Sequence, residues 1–129
     1  MREVPQGLRT WFVIHFWDDI LTAIPLFIAP EALLGFLGWP NVDPFTTRLV
    51  AAALFGIGIE SWLGRNARAE SFQTMLNLKI IWSFAASVGL LWGIIEAGDA
   101  APLLAWGILA IFLPFHIVWV YWRWRINDL

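Results

Sequence analysis

Four apolar stretches, over residues 8–28, 45–63, 72–95 and 103–124, take up nearly the whole chain. Each is about 20 residues or more, enough to cross a hydrocarbon core of about 30 Å as a helix. Lipid offers no partner to an unpaired peptide group, so crossings of this length must be helical. The expected fold is therefore all-α, an integral membrane four-helix bundle. Hydrophobic residues make up 60% of the chain and charged ones 14%, against about 45–50% and 25% in soluble domains. Residues 1–129 are accordingly expected to form a single membrane domain, because the termini and three connections are too short for a second core.

The same composition excludes several functions. There is no cysteine, so disulfides, thiolate metal sites and cysteine nucleophiles are ruled out. Phosphate-binding glycine loops, nucleophile elbows and zinc-protease motifs are absent from the sequence, and no nucleic-acid partner is expected. Arg2 and Arg9 precede an apolar run that continues to Ile28 without a small-residue cleavage site. The first stretch is thus expected to be a retained helix rather than a signal peptide.

The cations set the orientation. With four crossings, Arg2, Arg9, Arg65, Arg68, Arg123 and Arg125 share one side, while the other holds Arg48 together with Glu31, Asp43, Glu96 and Asp99. The positive-inside rule then places both termini in the cytoplasm. Between the first two stretches, residues 30–39 are apolar but interrupted by glycine and bounded by Pro30 and Pro40. They read as a brief interfacial helix at the outer surface. Asp43, or the hydroxyls of Thr46 and Thr47, would cap the next helix. No internal repeat, linker or low-complexity tract stands out.

Small residues suggest how the helices meet. Ala52 and Gly56 in the second stretch, and Ala85, Gly89 and Gly93 in the third, recur every four residues. Such spacing predicts a close hairpin between these two helices. Pro25 and Pro114 each remove a backbone donor inside a helix and favour a kink. Most of the 10 tryptophans fall near the two interfaces, where aromatic belts form. Trp17 and Trp82 lie deeper, and either pack in the interior or line a cavity.

The residues expensive to hold in lipid are His15, Asp18 and Asp19 in the first stretch, Glu60 in the second, Lys79 in the third and His116 in the fourth. A central charge costs at least about 2.5–3.5 kcal/mol on insertion scales, so each needs a partner or a wet cavity. Counted from the inner ends, His15, Lys79 and His116 fall roughly 10 Å into the bilayer, with Asp18 and Asp19 about 5 Å deeper and Glu60 somewhat shallower. His15 lies three residues before Asp18 and four before Asp19, so either carboxylate can share its face. Two readings follow: an ion-paired network that fixes packing, with Lys79 reaching Glu60 or an aspartate, or a proton-handling or ligand-binding site. In the second reading His15, Asp18 or Asp19, Glu60 and His116 line one cavity in the cytoplasmic half. Two histidines at similar depth also admit a b-type haem, or a divalent metal with the carboxylates, but no spacing signature supports either, so no metal and no particular cofactor is assigned.

Two runs carry a family resemblance. The succession from Ile24-Pro25-Leu26-Phe27-Ile28-Ala29-Pro30-Glu31 to Ala32-Leu33-Leu34-Gly35-Phe36-Leu37-Gly38, followed by Arg48-Leu49-Val50-Ala51-Ala52-Ala53-Leu54-Phe55-Gly56-Ile57-Gly58, resembles small bacterial DoxX-like four-helix membrane proteins. The resemblance covers the first half of the chain. It implies a four-helix bundle in a bacterial inner membrane, and some relatives are associated with quinone-linked oxidoreductases. It transfers no catalytic residue. The expected function is that of a non-enzymatic small-ligand-binding protein or accessory subunit. An enzyme acting on a lipid-soluble substrate, such as an isomerase or a quinone-linked oxidoreductase subunit, is the alternative, and a proton-coupled transporter the third. The expected partners are the lipid bilayer, a small hydrophobic ligand or quinone, and a second copy or another membrane subunit.

Overall fold

A computed structural model describes residues 3–127, so Arg2, counted above among the inner cations, lies outside the described residues. Among these the chain is all-helical, with no strand: α1 (Gln6–Ile28), α2 (Pro30–Phe36), α3 (Pro44–Leu63), α4 (Ala69–Ala97) and α5 (Leu103–Asn127), with a single three-residue turn of 3₁₀ helix at Gly98–Ala100. Three of the five, α1, α4 and α5, are long and apolar enough to cross a membrane. That makes this a membrane protein. At 20 residues α3 has the length, but Thr46, Thr47, Arg48, Glu60 and Ser61 dilute its apolar character.

The helix ends follow from local chemistry. Asp43 accepts a hydrogen bond from the Phe45 amide at 2.9 Å, and Pro44 in the first turn has no amide proton to leave unpaired. Pro30 opens α2 in the same way. That helix ends where Gly38 adopts φ +87°, a conformation that costs glycine little. The Trp39 amide then donates back to the Leu34 carbonyl and the Gly38 amide to that of Gly35, the paired bonds of a Schellman cap. Both internal prolines are accommodated, since α1 runs unbroken through Pro25 and α5 through Pro114.

The chain divides into two compact units, Glu3–Arg68 and the residues from Ala69 onward. In the first, α1 and α3 pack antiparallel along their whole length. At one end Arg9 donates through Nη1 to the carbonyls of Arg65 at 2.7 Å and Ala67 at 3.3 Å. At the other, Arg48 Nε donates to the Phe27 carbonyl at 3.0 Å, beside the edge-on pair Phe27 and Phe55. In the second unit α4 and α5 pair antiparallel, with Asn77 Oδ1 accepting from Arg123 Nε at 2.8 Å and Trp82 against Phe112.

The two hairpins share a layout that the residue identities conceal. The buried positions of α1 include 8, 12, 15, 19 and 23, and those of α4 include 72, 76, 79, 83 and 87. The spacing is the same, steps of four, three, four and four residues along one helical face. Each stripe has polar residues at its third and fourth positions: His15 and Asp19 in one, Lys79 and Ser83 in the other. The remaining faces are covered in large apolar side chains such as Leu21, Leu49, Ile81 and Ile117, as expected where the surroundings are lipid.

The close approach inside the first hairpin uses a glycine outside the four-residue series. Gly56, Gly89 and Gly93 are exposed, and a Cβ at any of them would meet nothing within 4 Å. The glycine that permits close packing is Gly58, where a Cβ would lie 2.8 Å from that of Asp19.

Candidate functional site

In the first hairpin, His15 and Asp19 sit one helical turn apart on the buried stripe of α1, only 5% and 3% exposed. His15 Nε2 lies 3.3 Å from Asp19 Oδ1. The carboxylate fits against α3 because Gly58 has no side chain. Ser61, also buried on α3, turns its hydroxyl back to the Ile57 carbonyl at 2.7 Å, and so satisfies its proton within its own helix. This hairpin therefore holds an imidazole and a carboxylate side by side at buried positions one helical turn apart.

The second hairpin gathers a different set. Lys79, 2% exposed, places Nζ 4.9 Å from the centroid of the Trp119 ring. The cation is thus met by an aromatic face, an attraction that grows when water is excluded. One turn further along α4, Ser83 Oγ lies 2.8 Å from His116 Nδ1 and 3.3 Å from the Ile80 carbonyl. The single hydroxyl proton can go either way. If Ser83 donates to Ile80, His116 carries its proton on Nδ1 and offers a lone pair at Nε2; if Ser83 donates to Nδ1, then Nε2 carries the proton and donates. In both tautomers Nε2 is the unused end of the ring, since no described residue hydrogen-bonds to it. The Phe84 ring flanks the imidazole at 5.8 Å. Ser87, another turn on, is buried with a hydroxyl that makes no hydrogen bond among the described residues.

The remaining residues singled out by sequence fall elsewhere. Asp18 is half-buried, beside the stripe rather than on it, and Glu60 is exposed on α3. Trp17 is 52% exposed and packs edge-on against Phe16. Trp82 is half-buried against Phe112. Among the described residues no three His, Asp or Glu side chains converge as a metal-binding group. Sequence reasoning missed Ser61, Ser83 and Ser87. Their only signal is position, because Ser83 and Ser87 continue the four-residue spacing from Lys79.

These features define a class, an all-helical membrane protein with buried polar groups on the helices of both hairpins. Comparison with family models, curated proteins and solved structures finds no match.

Proposed function

We propose that this chain is a four-crossing protein of a bacterial inner membrane, with both termini cytoplasmic, related to the DoxX-like proteins, and that it binds a small lipid-soluble ligand, alone or as an accessory subunit. The fourth crossing is supported by the pairing of α3 with α1 from Arg9 and Arg65 at one end to Phe27 and Arg48 at the other. A helix that accompanies a spanning helix over its full length reaches the same depth. Its two charges, Arg48 and Glu60, lie near its ends, where side chains reach the interface.

The observation that carries the ligand reading is His116. A half-buried imidazole anchored by Ser83 through Nδ1 and open at Nε2 presents one polar point within an apolar helix. Leaving such a group unpaired in lipid is unfavourable. A ligand with one polar group at Nε2 and an apolar body against Phe84 meets both needs, and small-molecule sites combine the same two elements. Gently purified protein examined by native mass spectrometry is expected to carry a bound small molecule, and His116→Leu to lose most of it while remaining folded, since Ser83 can still donate to Ile80. A wild-type protein that purifies empty, or a variant that retains the molecule, would contradict the reading.

One observation favours a second reading, an enzyme acting on a lipid-soluble substrate. The buried His15 and Asp19 have the pairing of a general base oriented by a carboxylate. Turnover lost on Asp19→Asn, with ligand still bound, would favour it over simple binding.

A further inference from the structure

Where α1 begins and α3 ends, Gln6, Arg9, Thr10, Val13, Arg65 and Asn66 surround an open pocket of about 290 Å³. Among the described residues its lining includes two guanidinium groups and no carboxylate. Both cations are held in place. Arg9 is clamped through Nη1 to the carbonyls of Arg65 and Ala67, while Arg65 donates through Nη1 to the Trp62 carbonyl at 2.6 Å and holds its Cζ 3.7 Å from the centroid of the Trp62 ring. Arg65 keeps Nε and Nη2 clear of any hydrogen bond among the described residues. A guanidinium fixed in this way loses little freedom when it meets an anion, and its planar fork matches two oxygens of a phosphate.

The rest of the lining is graded. Gln6 and Asn66 add amide donors, and the Thr10 hydroxyl, which donates to the Gln6 carbonyl at 3.0 Å, retains its lone pairs. Val13, a turn further into the helix, is apolar and adjoins the exposed Ile14. Donors at the mouth and an apolar wall behind suit a ligand with an anionic head and a hydrocarbon tail. Trp62 under Arg65 sets the depth, because indole rings settle at the headgroup level.

We propose that this pocket binds the phosphate of an anionic phospholipid, with Arg65 and Arg9 as its cationic contacts and the Asn66 amide as a further donor. That the lipid belongs to the cytoplasmic leaflet rests on the four-crossing reading given above; the pocket itself does not. Anionic lipids are drawn to cations at that surface, and a pocket converts a diffuse attraction into a specific one.

The test is native mass spectrometry of the delipidated protein in mild detergent, offered equal amounts of phosphatidylglycerol and phosphatidylcholine. The protein is expected to retain the anionic lipid in about fivefold preference, the effect of roughly one cation at a headgroup. Arg65→Gln should abolish most of that preference. So should Thr10→Glu, which adds a carboxylate at an exposed position. Arg125→Gln, which removes an equal charge in the other unit, should leave it unchanged, and circular dichroism should show all three variants as helical as the wild type. Equal retention of the two lipids, or a preference that Arg125→Gln lowers as much as Arg65→Gln, would overturn the proposal. An excess of inorganic phosphate distinguishes the sources: the lipid account expects it to leave the preference intact, whereas displacement of the lipid by phosphate would show a free-anion site and overturn the lipid assignment. Detergent removes topology from the result, so failure here leaves the four-crossing reading standing.

Discussion

Gly58→Leu should separate the first hairpin, while Gly56→Leu, two residues away, should leave it intact. At Gly58 even a methyl group would sit 2.8 Å from Asp19 Cβ. That atom is fixed to the α1 backbone, so relief requires the helices to part. Overpacking of this kind costs about 1–3 kcal/mol for small additions, and leucine should exceed the lower part of that range. The gain in helix propensity on removing a glycine is about 1 kcal/mol and does not offset it. Parting the helices also withdraws the groove that receives the Asp19 carboxylate. At Gly56, where a Cβ meets nothing within 4 Å, leucine gains the propensity term alone. Thermal unfolding in detergent checks the pair; equal midpoints would contradict the packing.

The second large effect is expected at Trp119. It is the largest of the fully buried side chains, stacks on Phe115 at 5.7 Å and presents its face to Lys79. In a bilayer the loss on truncation comes mainly from emptied packing, because lipid tails are as apolar as the protein interior. Trp119→Ala should therefore cost about 3 kcal/mol, the low end of the range for large aromatic truncations. Trp119→Phe restores much of the volume but a weaker ring face, and should fall between alanine and wild type. A phenylalanine variant as unstable as alanine would show that the volume of a ring beside Lys79 contributes nothing.

Much of the architecture was legible because the chain is apolar in long runs. The helical spans, the short helix after Pro30 and the Asp43 cap follow from composition, proline position and side-chain chemistry, which act locally. His15 with Asp19 was legible for the same reason, since residues four apart share a helix face whatever the tertiary structure. The packing face of α3 was not. Ala52 and Gly56 have the more suggestive spacing, yet packing uses Gly58, because which side of a uniformly apolar helix faces its neighbour leaves little trace in hydropathy. The serines were silent for a related reason: Ser61 returns its proton to its own backbone, so it costs little anywhere in a membrane helix. Ser83 gains meaning only when His116 is brought beside it. The shared layout of the two hairpins escaped notice because it resides in which positions are buried, while the residues at those positions differ.

The four-crossing topology, on which the cytoplasmic placement of both termini depends, is tested most directly by labelling. The chain has no cysteine, so single cysteines at Asn41 and Asp99, both exposed, can be treated in intact cells with a membrane-impermeant maleimide. If α3 crosses with α1, α4 and α5, both positions lie outside and both are labelled without permeabilisation. If only the three most apolar helices cross, the two positions lie on opposite faces, and labelling of one alone would contradict the account.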